Sequence, residues 1–239
     1  MHSEVPVLIP IHIGALDLSI TAQIFWTITA SIAVILFGLW ARRRITRVPE
    51  RLSQHFFEIA LDFIEKQILE PNGLNIRRWT PLFLSIFLFI FLNNLVNIIP
   101  GATSGNSNIN QTMALAFVFF ILALALRFKQ HGPFGFFRSM IPSGINGPIV
   151  ALLFPIELIS LIFKPFSLAI RLFVNLFGGH TLLITIIAFA AMAQDFIVPI
   201  FSVGGSVILL LFEIFVSFIQ AYIFSFLSAL MVSEAIQEH

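Results

Sequence analysis

The sequence predicts an all-α integral membrane protein with about five membrane helices and one amphipathic helix on the membrane surface. Of its 239 residues, 58% are hydrophobic and only 10% are charged, whereas about a quarter of the residues in a soluble domain are charged. Phenylalanine occurs 29 times and tyrosine once, which suits packing against lipid. The apolar residues also form runs of the length, about 20 residues, that is needed to cross a bilayer. We expect one membrane domain over residues 1–239.

The composition excludes several classes of function. The chain has no cysteine, so disulfides, thiolate metal sites and thiol nucleophiles are ruled out. Its formal net charge of +1 does not indicate a nucleic-acid partner. It has no G-x-x-x-x-G-K-[ST] segment to cradle phosphate, so we expect no ATP chemistry of its own. His2 and His12 have no further ligands nearby, and we expect neither a metal nor a cofactor.

The first predicted membrane helix, residues 18–40, ends at the basic cluster Arg42-Arg43-Arg44-Ile45-Thr46-Arg47. Positive residues favour the cytoplasmic side of a membrane. We therefore expect this cluster inside and the N-terminal segment, residues 1–17, outside. The segment lacks the basic start of a secretory signal, so helix 18–40 is expected to remain as an anchor.

An amphipathic helix is predicted over residues 52–69, a stretch too charged to span. Leu52, Phe56, Ile59 and Phe63 recur at helical spacing. Another face carries Glu58, Asp62 and Glu65. This pattern is typical of a helix lying on the cytoplasmic membrane surface. The alternative is a soluble connector helix packed on protein.

Two shorter spans are predicted over residues 80–99 and 113–128, joined by a polar outer loop, residues 101–108. Residues 132–147, rich in glycine and proline, are expected to form an inner loop. Positive residues at the end of the second span agree with a cytoplasmic location. They are Arg127, Lys129, His131 and Arg138.

Two long apolar segments follow, residues 148–192 and 196–232. As a helix, the first would measure roughly 65 Å, about twice the thickness of a bilayer. Either two spans meet at a hinge, near Pro165 or Gly178-Gly179, or one long helix lies steeply tilted. The C-terminus is then expected in the cytoplasm.

Each long segment carries a single stripe of polar residues. An arginine at the centre of a membrane helix costs about 3 kcal/mol on insertion scales. We therefore expect the polar residues at these positions to have a structural or functional role. Relative to Glu157, the first stripe lies at offsets 3, 7, 14 and 18, and it comprises Glu157, Ser160, Lys164, Arg171 and Asn175. The second comprises Ser206, Glu213, Ser217 and Gln220. Such stripes suggest faces that line a water-filled or protein-lined path.

Structural explanations exist for most of these groups. Arg171 would pair with an acid inside the bundle, and Lys164 would extend to the membrane interface. Glu157, close after Pro155, would be an acid in the first turn of a helix. The serines would be small contact residues, and Asn175 and Gln220 interhelical hydrogen-bonding groups. Glu213 and His180, which follows two glycines, are harder to explain in this way.

Three segments resemble the core motif of subunit a of the F-type ATP synthases. They are Pro155-Ile156-Glu157-Leu158-Ile159-Ser160, Lys164-Pro165-Phe166-Ser167-Leu168, and Arg171-Leu172-Phe173-Val174-Asn175-Leu176-Phe177-Gly178-Gly179-His180. The run from Glu213 to Phe224 is similar to the last helix of that family. Outside these segments the match is looser, but it covers most of the chain from Leu52 onward.

The resemblance implies two long helices lying nearly flat in the membrane, so that residues 148–192 need no second crossing. It implies that they curve around a ring of c subunits, each with a carboxyl group at mid-membrane. Two offset half-channels would pass ions to and from this c-ring. The implied partners are the c-ring, the b subunits of the peripheral stalk, the other ATP synthase subunits and the lipid bilayer.

The resemblance also implies roles for individual residues. Arg171 matches an indispensable arginine, which favours the ionised form of a nearby ring carboxyl and blocks a direct leak of protons. Asn175 and Gln220 match amides beside it. His180 and Glu213 match positions that line the outer half-channel, in an order of acid and histidine that differs among members. Glu157 and Lys164 match positions toward the inner half-channel.

An ion-coupled secondary transporter or channel is the alternative function, although that class usually has internal repeats and none is evident. A structural membrane subunit, with the polar stripes acting only as interhelical contacts, is a third possibility. The sequence leaves open whether the ion is H⁺ or Na⁺. We expect a bacterial plasma membrane rather than a mitochondrial inner membrane.

Overall fold

The computed structural model describes residues 7–10, 12–13, 16–17, 19–44, 52–99, 102, 104–138, 148–192 and 197–236. Over these ranges the chain is almost entirely helical. The helices are α1 (Ala22–Arg44), α2 (Leu52–Ile64), α3 (Ile76–Val96), α4 (Ile109–Arg138), α5 (Pro148–Met192) and α6 (Ile197–Ile236). Helix α4 is broken at Gly132, where φ is 68° and ψ is 174°. All but α2 are long and apolar enough to cross a membrane. The predicted all-α membrane fold, with two long helices at its end, is confirmed.

Four short strands precede α1 and were not predicted. Strand β1 (Val7–Ile9) pairs antiparallel with β4 (Ile20–Thr21). Inside that pair, β2 (His12–Ile13) lies antiparallel to β3 (Leu16–Asp17), with His12 opposite Asp17. The strands contain β-branched residues, which favour extended structure, but each strand is too short to stand out from its neighbours. These residues are Val7, Ile9, Ile13, Ile20 and Thr21.

Helix α2 continues as a single π-turn, Glu65–Leu69, and packs on α3 and α6. Phe57, Ile64 and Ile68 are buried against the protein, whereas Phe56 and Ile59 are exposed on the opposite side. The helix therefore has one apolar face for the protein and additional apolar residues that face outward. Location on a membrane surface remains a prediction, which these outward residues support.

Helix α5 is one uninterrupted helix of 45 residues that includes both Pro155 and Pro165. This result argues against two spans that meet at a hinge, because the helix continues through both prolines and through Gly178-Gly179. The tilt of the helix in the membrane remains a prediction. Each proline removes one backbone hydrogen bond without ending the helix. The first half of α6 is largely exposed and apolar, with Phe201 and Ile208 among its most exposed residues.

The core lies where the second half of α6 packs against α3, α4 and the middle of α5. Phe83, Ile90, Leu172 and Phe224 are fully or almost fully buried there. Beside this core, an aromatic cluster joins α2, α3 and α6, with ring centroids 5.4–5.7 Å apart. Its members are Phe63, Phe87, Phe218 and Tyr222. The amphipathic helix is thus anchored directly to α6.

The polar loop after α3 folds inward. A 3₁₀ turn, Gly105–Ser107, places Ser104 and Asn106 fully inside the protein. Asn97 accepts a hydrogen bond from the Ser104 backbone N–H at 2.8 Å. Asn106 donates its amide to Asn94 Oδ1 at 3.0 Å. These bonds fix the loop over the end of α3 and supply partners for polar groups that have left water.

Candidate functional site: the polar residues of α5 and α6

Arg171 lies on the exposed face of α5, in an open groove of about 850 Å³. It is the only charged residue among those that line the groove, and most of the others are apolar, including Phe163, Phe166 and Val174. Within the described part of the chain, its guanidinium forms no ion pair or hydrogen bond. An acid inside the bundle that would give Arg171 a purely structural role is therefore not found among these residues.

The helical period explains why Arg171 faces outward. Leu168, Leu172 and Leu176 are 1%, 0% and 1% exposed and form the face of α5 that packs on the core. Arg171 lies about 100° around the helix from Leu172, on the side that is left free. Asn175 follows one turn later and is half-buried, so the amide lies at the edge between the groove and the protein.

Glu213 lies on the buried face of α6 and is only 8% exposed. Neither of its carboxylate oxygens has a hydrogen-bond partner among the described side chains. Its carboxylate lies next to Gly179 of α5: a Cβ atom at that glycine would be 3.1 Å from Glu213 Oε1. A buried carboxylate is unfavourable unless it is neutral or has a partner, so this position indicates more than packing.

His180 follows Gly179 in α5, and its side chain lies outside the described residues. Gly179, which lies next to the Glu213 carboxylate, directly precedes His180 in the chain. The predicted proximity of Glu213 and His180 remains a prediction, supported by this backbone relationship.

Two further polar groups continue the stripe of Glu213 along α6. Ser217 and Gln220 are 1% and 5% exposed. Ser217 Oγ and Gln220 Nε2 have no hydrogen-bond partner in the described ranges. Because these groups lie on one face of α6, the stripe points into the protein, whereas the Arg171 stripe of α5 includes an exposed group.

The buried amides of α3 were not predicted as site residues. Asn93 and Asn94 are fully buried, and Asn94 Nδ2 lies 3.5 Å from the backbone oxygen of Ser217. Asn93 Oδ1 and Asn106 Oδ1 have no partner among the described residues. Three asparagines within five positions of an apolar helix, counting Asn97, were the available signal.

Lys164 forms an ion pair with Glu234 of α6, at 2.5 Å from Nζ to Oε2. Glu234 was not predicted as a site residue. Glu157 lies two turns before Lys164 and is half-buried, and it has no ion pair with a described residue. Lys164 and Glu213 therefore lie in different surroundings, the first in a charged pair and the second among neutral polar groups.

No group of three or more histidine, aspartate or glutamate side chains in the described ranges is arranged to hold a metal ion. The site consists instead of single charges and amides on two long apolar helices. This combination defines a polytopic helical membrane protein with polar groups embedded at membrane depth, the kind of position that ion pathways use.

The sequence matches the family model described as "ATP synthase A chain" over residues 24–233. It is similar to the ATP synthase subunit a of Magnetococcus marinus, with 33% identity over 100% of this chain and 92% of the relative. The subunit a of Rhodospirillum rubrum is 34% identical over 97% of this chain and 95% of the relative. That of Chloroherpeton thalassium is 31% identical over 95% and 69%. The chain belongs to the ATP synthase A chain family.

Proposed function

We propose that this chain is the stationary ion-translocating subunit of a rotary F-type ATP synthase. It passes ions through two offset half-channels to and from the carboxyl groups of a c-ring. The observation that carries the proposal is Arg171, a guanidinium without a partner among the described residues, on the exposed apolar face of a membrane helix. The relatives named ATP synthase subunit a support the same function.

Arg171 acts through its permanent charge. A guanidinium stays protonated under all physiological conditions, and it therefore favours the ionised form of a carboxyl group that passes the groove. The same charge repels a proton that would cross directly between the half-channels. Asn175 and Gln220 orient this arginine or bound the channel without adding charge.

The remaining predicted residues divide between the two half-channels. Glu213 and His180 line the outer one, where the buried Glu213 carboxylate beside Gly179 is the supporting observation. Glu157 and Lys164 belong to the inner one. The transported ion is a proton in this proposal, and Na⁺ is the alternative.

The partners follow from the function. The exposed faces of α5 and α6 contact the c-ring, and the other surfaces contact the peripheral stalk b subunits and lipid. The chain does not carry out ATP chemistry by itself. It is a multi-pass protein of a bacterial plasma membrane in this proposal, which the bacterial relatives support. A secondary transporter is not favoured, since the chain belongs to a family of ATP synthase subunits.

Replacement of Arg171 tests the proposal. Arg171→Ala is expected to abolish proton-driven ATP synthesis in inverted vesicles while the complex remains assembled. Arg171→Lys is expected to restore little activity, because an ammonium is more strongly hydrated and loses its proton more readily when buried. Ser167→Ala, a change in the same groove, is the control and should leave synthesis unchanged. Normal synthesis by assembled Arg171→Ala complexes would contradict the proposed function.

A further inference from the structure

Three helices meet at a cluster of three charged residues, Arg127 of α4, Lys164 of α5 and Glu234 of α6, which we call the charge cluster. Lys164 Nζ and Glu234 Oε2 are 2.5 Å apart, and each side chain is 32% exposed. The two residues are 70 positions apart in sequence. The pair therefore joins the first half of α5 to the final turn of α6.

Arg127 also contacts the C-terminal end of α6. It is only 5% exposed, and its Nη2 donates to the backbone oxygen of Glu234 at 3.4 Å. The last carbonyl groups of a helix have no partner within the helix, and a cation there is favourable. Arg127 thus caps α6, which ends at Ile236.

A small space lies among these residues, and the part of it that a water molecule can enter has a volume of about 10 Å³. This is about the volume that one water molecule requires. Arg127 Nη1 is buried and has no partner among the described residues. The space inside the charge cluster is therefore no larger than about one water molecule.

The position of Lys164 on α5 relates the charge cluster to Arg171. The two residues are seven positions apart, about two turns and roughly 10 Å along the axis. Seven residues rotate a helix by nearly two full turns, so that Lys164 and Arg171 lie on almost the same side. The buried face formed by Leu168, Leu172 and Leu176 sets the main orientation of α5. The contact between Lys164 and Glu234 adds a second restraint on the rotation of α5, two turns before Arg171.

We propose that Glu234, held in place by Arg127, is a positioning residue that sets the direction in which α5 presents Arg171. The inference rests on the proposed function, because it takes the c-ring as the object that Arg171 faces. A partly exposed ion pair contributes little to stability. Loss of the pair should therefore misplace Arg171 without unfolding the chain.

The first test neutralises and then exchanges the pair. Glu234→Gln should lower proton-driven ATP synthesis about tenfold at equal subunit abundance, as expected for a change that moves a functional group without touching it. Lys164→Gln should lower synthesis at least as much, because Lys164 is also assigned to the inner half-channel. The exchange Lys164→Glu with Glu234→Lys should recover at least half of the wild-type rate. Lys164→Arg, which keeps the charge, should retain most of it.

The control is the surface ion pair between Asp62 and Lys66, whose Oδ2 and Nζ atoms are 2.6 Å apart. These two residues are one turn apart on the exposed side of α2 and its π-turn. Asp62→Asn and Lys66→Gln should leave synthesis unchanged. An exchange variant of the charge cluster that is no better than the worse single variant overturns the proposal.

The second test measures the position of α5 relative to the ring helices. The native chain has no cysteine, so Val174→Cys, in the Arg171 groove, can be crosslinked to single cysteines along the ring helices. Glu234→Gln should shift the ring position of highest crosslinking yield, and Asp62→Asn should not. A purely stabilising role would lower the amount of subunit but leave the crosslinking pattern unchanged, and that result would overturn the inference. If Arg171→Ala abolishes synthesis but Glu234→Gln changes nothing, the positioning role fails and the proposed function stands.

Discussion

The carboxylate of Glu213 lies against the backbone of Gly179, across the contact between α6 and α5. A Cβ atom at residue 179 would be 3.1 Å from Glu213 Oε1 and 3.4 Å from its Cδ. A Cβ at the preceding glycine, Gly178, would have no atom within 4 Å. Gly178 and Gly179 therefore differ, because only the missing side chain of Gly179 leaves space for the buried Glu213 carboxylate.

Substitution of each glycine by alanine tests whether the contact between Gly179 and Glu213 matters for transport. Gly179→Ala should push the Glu213 carboxylate away by a few tenths of an ångström and lower proton-driven synthesis about three- to tenfold. Gly178→Ala should have little effect. Alanine favours a helix over glycine by the same amount, about 1 kcal/mol, at both positions, so the difference isolates the contact. Equal activities of the two variants, measured in inverted vesicles, would show that the contact does not matter for transport.

His180 and Glu213 are expected to function as one pair. Histidine titrates near neutrality and exchanges protons readily, and a nearby acid would couple its titration to that of the histidine. Glu213→Gln or His180→Ala should each cut synthesis severely with assembly intact. The exchange His180→Glu with Glu213→His should recover a measurable part of the synthesis rate, because it keeps one acid and one imidazole in the proposed outer half-channel. An exchange no better than the worse single variant would mean that the two residues do not share a site.

The orientation of the chain can be measured on α4. Asn110 and Gln130 are both exposed and lie about 30 Å apart along one helix. The basic residues of the sequence predict Asn110 outside and Gln130 inside. In the cysteine-free chain, Asn110→Cys should react with an impermeant thiol reagent added from outside, and Gln130→Cys only from inside. The reverse pattern would overturn the predicted orientation. Ser104 is unsuitable for this purpose because it is fully buried.

The folded outer loop should contribute measurably to stability. Asn97→Ala would remove the acceptor of the Ser104 N–H and the partner of Ser107 Oγ, and the buried groups left behind would cost about 1–3 kcal/mol. The loop should then become more susceptible to protease, and the protein should unfold at lower denaturant concentration. Asn110→Ala, an exposed asparagine nearby, is the matched control. Equal unfolding of the two variants would contradict this role of Asn97.

The fold class followed from the sequence because length and apolar composition are local properties. A run such as residues 148–192 is long and apolar whatever surrounds it, and the polar stripe of α5 follows from helical periodicity alone. The partner of Lys164 did not follow, since Glu234 is 70 positions away and no local pattern relates the two. For helix α2, too, a local pattern was not sufficient to predict the contacts. Its spacing indicated an apolar face, but only the tertiary structure distinguishes Phe57, packed on protein, from Phe56, which faces outward.

The loop after α3 illustrates a different difficulty. Polar composition normally indicates a solvated loop, yet Ser104 and Asn106 are fully buried. Their burial is possible because they form hydrogen bonds with each other and with Asn94 and Asn97, although Asn106 Oδ1 has no partner among the described residues. Mutual satisfaction of this kind depends on the geometry of several side chains, which composition does not contain.

The aromatic cluster of α2, α3 and α6 has a mechanical consequence. In the proposed function, a rotor that turns against α5 and α6 would push sideways on these helices at every step, and the stator would have to resist that torque. Phe218 and Tyr222 of α6 contact Phe63 of α2 at 5.4 and 5.6 Å, and close-packed rings transmit strain with little compression. The force on α6 would thus pass into the amphipathic helix and be spread along the membrane surface, so α2 would act as a brace as well as an anchor.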